Sequence, residues 1–367
     1  MKLTFISTVT LGYGNPEYLN LLRALSTKIP DLVIQSIEPI DHERPYYKLP
    51  DLNIIRPEKS FAISHRLKKT HKFGILCCKA LSKFSFTVQL LNILLDKSPS
   101  VLVTSKYHPL LAFLPRNCKL HFYCSELFEI SNKRGFFFYK FKKKVSSIVC
   151  PQIDRMRIAR EIFNCESYYL IQNCPPRNKQ SNHSRKNTHT ILYQGRVSRL
   201  SSARQMLDFA YSLPPKYRMH IAGPIDPEFK NEILNLSRQG RITYHGYLTA
   251  LELARLRSTM AFGLVTWGNL DLNTMYCAPN KLYEYISEGM VVLALNNHSM
   301  HQLNSQYSFG KVSSSDHEEL INYITELDDY EKISRRNLQT HLEELNFEHQ
   351  ASQFVQDIAN EIIISGG

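Results

Sequence analysis

At 367 residues, 43% hydrophobic and 21% charged, the chain is too long for one ordinary domain and has the composition of a soluble protein with substantial cores. No apolar run approaches the ~20 residues of a membrane-spanning helix, and the eight cysteines show neither a disulfide framework nor zinc-ligand spacing, so reduced thiols are expected. The net charge of +12 is lopsided: residues 1–175 hold 26 Lys+Arg against 13 Asp+Glu and residues 176–367 hold 19 against 20, which points to an anionic partner, nucleic acid or membrane, for the first half.

The start of the chain, Leu3 to Val9, is signal-like only in outline. Thr4, Ser7 and Thr8 interrupt it and no small-residue cleavage site follows, so it reads as a first β-strand. Strands are expected in the first half at 2–10, 31–37, 100–104, 119–124, 146–150 and 167–171, with a long helical region over 61–97. Repeated strand–helix units of this kind imply a Rossmann-like sheet. The loop containing Gly12 and Gly14 follows strand one and permits close backbone approach to a phosphate, although a full GxGxxG is absent. His108 and Glu126 each follow a strand. Positive charge gathers at Lys68, Lys69, Lys72, Lys79 and Lys83, and again in the aromatic–basic run from Arg134 to Lys144. Phe136 to Phe138 can either insert at a lipid interface or join the core beneath a solvated basic face.

The polar, Pro-containing stretch from Pro175 to His189 is the interdomain linker. Beyond it, strands are expected at 190–194, 217–222, 241–245, 261–266, 291–295 and 308–312. Helices are expected between them at 201–213, 227–237, 249–258, 279–289 and 316–327. Alternation of this kind gives a doubly wound parallel sheet. Thr249 and Glu252 have capping-box spacing. Near the C-terminus, Phe347, Ala351, Phe354, Val355, Ile358 and Ile362 share one helical face. That helix packs on its own domain or crosses back to the first.

The segment from Cys277 to Ala294 carries the most chemistry. Pro279 suits the first position of a helix and Gly289 its end. Lys281 then lies in the first turn, where the helix dipole disfavours a cation unless an anion is bound there too. Glu284, three residues on, can accept two hydrogen bonds from a ribose. The alternative is an exposed Lys–Glu pair worth a few tenths of a kcal/mol. Tyr193-Gln194-Gly195-Arg196 ends a strand, so Arg196 projects from the carboxyl edge, where a guanidinium can grip a pyrophosphate.

The run Pro279-Asn280-Lys281-Leu282-Tyr283-Glu284-Tyr285-Ile286-Ser287-Glu288-Gly289 resembles the PNKLFEYMAxG signature of retaining, GT-B-fold glycosyltransferases of family 4. The resemblance covers 190–295 well and the first half loosely. It implies an α/β fold of two Rossmann-like doubly wound domains facing each other across a cleft. Residues 1–175 would bind the acceptor, completed by the helix 346–367, and residues 188–345 the nucleotide sugar. It assigns Glu284 to the nucleotide ribose, the first turn Asn280, Lys281 and Leu282 to the donor, and Arg196 to the pyrophosphate. The Tyr244 to Tyr247 loop would hold the nucleobase, and Gly14 would approach the donor. His108 and Glu126 correspond to cleft positions and are the catalytic candidates.

Two positions depart from the pattern. Ser201 and Ser202 stand where the family has a phosphate-binding lysine, which leaves Arg199 as the candidate. Tyr276 replaces a glutamate that touches the transferred sugar. No Asp-x-Asp occurs, so no metal or other cofactor is expected, and cations with helix N-termini would take the metal's role. The implied activity moves a sugar from a UDP- or GDP-type donor to a saccharide or lipid-linked saccharide, with retention, in assembly of polysaccharide, lipopolysaccharide or capsule. The expected place is the cytoplasm, peripheral on an anionic inner membrane face. A nucleotide-sugar 2-epimerase of the same fold and a non-catalytic membrane-associated relative are the alternatives. No nucleic-acid-binding motif is present, so nucleic acid is not expected as a partner.

Overall fold

A computed structural model of the chain describes residues 1–7, 9–11, 15–39, 48–56, 84, 86–92, 101–127, 130, 133–177, 188–199, 202–267, 270–314 and 316–366. Gly12, Gly14, Ser201 and the lysines from Lys68 to Lys83 lie outside the described residues. So does most of the helical region expected over 61–97, within which 86–92 are helical. The chain forms two units, Met1–Ile171 with Gln350–Gly367, and Gln172–His349.

The first unit is built on a seven-stranded sheet. Its strands are β1 (Lys2–Ile6), β2 (Val33–Ile37), β3 (Ile54–Ile55), β4 (Val101–Thr104), β5 (Lys119–Tyr123), β6 (Val145–Cys150) and β7 (Ser167–Leu170). They lie in the order β3-β2-β1-β4-β5-β6-β7, and every pairing is parallel. β1 is shorter than the expected 2–10 because Ser7 turns the chain: its Oγ donates to Val9 O and accepts from Val9 N–H at 3.1 Å. Hydroxyl bonding to the residue two ahead competes with the ladder. β3, a two-residue edge strand, was too short to leave a periodic signal.

In the second unit β8 (Thr190–Gln194), β9 (Arg218–Ala222), β10 (Ile242–Gly246), β11 (Phe262–Val265), β12 (Val291–Ala294) and β13 (Gly310–Val312) lie in the order β10-β9-β8-β11-β12-β13. All pairings are again parallel. The central strands β8, β11 and β12 are buried along their whole length, as a sheet covered by helices on both faces requires. Every expected strand and helix of this unit is present, with ends displaced by two residues or fewer. The Thr249–Glu252 capping box is formed. Helices at Leu272–Met275, His298–Tyr307 and Tyr330–Glu343 were not expected. His298–Tyr307 is polar almost throughout and buries only Ser299, Met300 and Leu303, so its apolar periodicity is faint.

The helix Phe347–Gly366 begins in the second unit and continues in the first. Its face of Phe347, Ala351, Phe354, Val355, Ile358 and Ile362 is buried, as its spacing predicts. Within the first unit, Glu361 reaches His121 on β5 at 2.7 Å and Asp357 accepts from Tyr169 on β7 at 2.6 Å.

β8 and β9 remain paired past their formal ends. Gly195 N–H donates to Ala222 O at 2.9 Å and Val197 N–H to Pro224 O at 2.9 Å. The pairing brings Gly223 against Gly195 so closely that a Cβ on Gly223 would stand 2.1 Å from Gly195 O. With φ at +142° in addition, Gly223→Ala is expected to destabilise the protein by about 3 kcal/mol or more, read by urea denaturation.

Candidate functional site at the carboxyl edge of the second sheet

Strand order in the second sheet reverses at β8, flanked by β9 and β11, and open α/β sheets take ligands outside the carboxyl ends at such a point. Gly195 leaves β8 with φ at +118°, and the chain passes at once to Arg196. Trp267, the single tryptophan of the sequence, follows β11. The helix Asn280–Ser287 starts here as well.

Pro279 is the N-cap of this helix and not its first residue, which is Asn280. The difference matters, because a proline cap offers no side-chain acceptor and none is made. Among the described residues, the Asn280 and Lys281 N–H groups have no protein acceptor, so this helix start presents bare donors. Asn173 Nδ2 fixes the preceding loop by donating to Ala278 O at 2.8 Å. At the far end Gly289 has φ of +65°, its N–H bonds Ile286 O at 2.9 Å and Met290 N–H bonds Tyr285 O at 3.0 Å, a Schellman cap.

Lys281 bends toward the end of β8. Its Nζ stands 4.3 Å from the Tyr193 ring centroid and 5.8 Å from that of Trp267. It would lie 3.4 Å from a Cβ on Gly195. Among the described residues it has no carboxylate partner, and two aromatic faces hold it in place. Leu282 points the other way, into the core.

Glu284 does not pair with Lys281. Its Oε2 accepts from Gln194 Nε2 and meets Arg257 at 3.3 Å, while the same guanidinium reaches Gln194 Oε1 at 3.3 Å. Both charges are mostly shielded, and one carboxylate oxygen is fixed while Oε1 has no protein donor among the described residues. Under this cluster Tyr285 is fully buried: its hydroxyl donates to Leu192 O at 3.2 Å and accepts from Gln194 N–H at 3.0 Å. Burial holds its pKa well above the ordinary phenol range.

The remaining expected residues are spread around this point. Arg196 is exposed, with Nε 2.8 Å from Asp226, and Arg199 lies 2.6 Å from Glu228. Tyr247, 77% exposed, follows β10. Gly246 O, at the end of that strand, accepts from Gly223 N–H at 2.8 Å. Tyr276 ends the short helix Leu272–Met275 with its ring edge-on to His298 at 5.5 Å.

His108 and Glu126 belong to the first unit, past the carboxyl ends of the adjacent strands β4 and β5. His108 Nδ1 accepts from Leu110 N–H at 3.3 Å at the start of a one-turn helix, and burial followed by the charge of Lys106 lowers its pKa. Glu126 faces Arg155 at 3.5 Å.

The structure therefore gathers Gly195, Arg196, Asn280, Lys281 and Glu284 at one edge. It adds Tyr193, Gln194, Arg257 and Trp267, which the sequence reading did not single out. Only Trp267 left a usable trace, as a lone tryptophan directly after a strand.

No family model matches the chain, and no curated protein matches it. Solved structures do. WaaG, a glycosyltransferase involved in lipopolysaccharide biosynthesis, superposes with a TM-score of 0.64 at 11% identity, over 100% of both chains. Anabaena HepE, solved with UDP and glucose, gives 0.67 at 11% identity over 98% of this chain and 100% of its own. A glycosyltransferase from Rickettsia africae gives 0.67 at 12% identity over 98% of each. At such identities the likeness is one of fold: this chain has the two parallel-sheet, Rossmann-like domains of the GT-B glycosyltransferases.

Removing the Tyr285 hydroxyl leaves the buried Gln194 N–H without its acceptor. Tyr285→Phe is expected to cost about 1–3 kcal/mol in urea denaturation.

Proposed function

We propose that the chain is a glycosyltransferase that takes a UDP- or GDP-type nucleotide sugar at the carboxyl edge of the second sheet. The sugar would pass to a saccharide or lipid-linked saccharide, with retention, in cell-surface polysaccharide assembly. The observation that carries this reading is Lys281, an aromatic-held cation without a carboxylate partner among the described residues, at an uncapped helix start beside Gly195. The GT-B fold, shared with glycosyltransferases that include a UDP-bound one, supports it.

In this reading the donor diphosphate lies across the Asn280 and Lys281 N–H groups, with Lys281 and Arg196 meeting its charge. Gly195 lets the phosphates come close to the backbone. Glu284 receives the ribose hydroxyls on the oxygen that Arg257 and Gln194 leave open. As the glycosidic bond stretches, negative charge grows on the leaving phosphate, and cations already in place stabilise it without rearranging. No metal is required for that charge balance. The acceptor hydroxyl attacks from the leaving-group face, and His108 and Glu126 are the titratable candidates for a catalytic role. Tyr276, in place of a carboxylate, faces the sugar and selects among donors. Arg199 is a second cation for the diphosphate, and Tyr247 flanks the base.

The first unit supplies a surface for an anionic leaflet. Phe136 and Phe137 on the helix Phe136–Lys142 are exposed and cluster with exposed Phe113, while Phe138 is in the core. Of the three phenylalanines that could insert or join the core, two are exposed and one is buried. Lys140 Nζ lies 4.5 Å from the Phe136 ring and 5.8 Å from that of Phe113, so positive charge borders the apolar patch. This pattern supports a peripheral position on the inner face of a membrane.

In a donor-turnover assay Lys281→Ala and Glu284→Ala are each expected to lose well over tenfold; near-normal turnover in both removes the site assignment. Trp267 provides a direct signal, because a diphosphate drawing Lys281 away from its ring should change its fluorescence. Titration with UDP, GDP, ADP and their sugars is expected to give a saturable change for one base. In a third measurement, co-sedimentation with liposomes should require anionic lipid and fall at least threefold in a Phe136→Ala, Phe137→Ala variant.

A further inference from the structure

Positive charge also collects at the opposite, amino end of the second sheet. A cavity of about 530 Å³ opens there, and its polar lining is His189, Thr190, Lys216, Arg218, His220 and Thr259. Among the described residues no carboxylate lines it. Strand pairing builds the arrangement: Arg218 N–H donates to His189 O at 2.9 Å, which sets the starts of β8 and β9 side by side. Arg218 and His220, two apart on β9, share a face of the sheet.

Among the described residues, several other arginines of this unit are paired with carboxylates. Arg196 meets Asp226, Arg199 meets Glu228, Arg204 meets Asp208 and Glu232, and Arg257 meets Glu284. Lys216 and Arg218 make no ion pair among the described residues. The Lys216 ammonium instead lies 5.3 Å from the Tyr217 ring, and the His189 ring is 5.2 Å from the same ring. His220 Nδ1 stands 2.9 Å from His245 Nε2 on β10, with the two rings stacked. Burial first, then the charges of His245 and Arg218, push His220 down to about 4. Among the described residues, Lys216 and Arg218 are thus left without a carboxylate counter-charge.

We propose that this cavity binds a soluble, phosphate-bearing polyanion at a site separate from the donor edge. The guanidinium of Arg218 presents a planar fork matched to phosphate oxygens, Lys216 adds a point charge, and the histidines supply further donors. The volume falls in the range of small-molecule sites, about 300–1,000 Å³. A recess lined by polar groups suits a free molecule better than a headgroup still anchored in a leaflet. β8 and β9 each run from this cavity to the donor edge, roughly 15 Å by strand rise. A ligand here leaves that edge open.

Equilibrium dialysis of the full chain against radiolabelled inorganic pyrophosphate, without divalent cations, tests the proposal. The measurement is made in a Lys281→Ala background, which lowers binding at the donor edge; any that remains there does not respond to substitutions at Lys216 and Arg218. Adding Lys216→Ala and Arg218→Ala is expected to weaken binding at least tenfold. Both side chains are exposed, so the melting temperature should hold. Arg218→Lys, which keeps charge and loses the fork, should fall between. Equal binding with and without the two alanines overturns the proposal, and so does absence of binding at millimolar pyrophosphate in the Lys281→Ala protein.

Discussion

Two backbones in contact, at Gly195 and Gly223, set the shape of the second sheet's carboxyl edge. Parallel strands end with their backbone groups aimed out of the sheet, and side chains at the turns normally cover them. Here the contact excludes any side chain from Gly223, and the ladder runs on to Val197 and Ile225 before the chains part. The end of β8 is thereby exposed as bare backbone with a rigid base. Lys281 and Glu284 from one helix, and Arg196 from the loop after β8, lie around it. Tyr285 adds the support from below, since one hydroxyl ties the last strand residue to the helix that carries both Lys281 and Glu284.

The second unit was legible in the sequence because its strands are short apolar runs separated by amphipathic helices. Burial on both faces of the sheet makes that contrast sharp. The helix Asn280–Ser287 was marked at both ends, although the proline sits one position earlier than its usual place inside a helix. What the sequence could not supply was pairing across distance. Lys281 and Glu284 are three apart and look like partners; only the fold brings Arg257 and Gln194 to Glu284, which leaves Lys281 to the aromatic rings. Tyr193 reads as an ordinary strand residue for the same reason. In the first unit the strands were found, but the ends of β1 and the existence of β3 depended on a serine turn and a two-residue pairing that carry no period.

Charge is handled differently in the two units. The near-neutral second unit sets several of its carboxylates against arginines around the sheet. Residues 1–175 have twice as many basic as acidic residues, and several lysines there rest on aromatic rings rather than on acids. A surface organised that way keeps its positive potential available to a partner, while rings limit the wandering of the long side chains.

The helix Phe347–Gly366 has a consequence for biosynthesis. Its buried face closes the sheet formed by the beginning of the chain, yet it is made only after the whole second unit. On the ribosome, β5 and β7 must wait with an apolar flank uncovered while the intervening unit emerges and folds. The first half therefore cannot mature ahead of the second, as amino-terminal domains commonly do. During that interval the flank that this helix covers stays open to solvent.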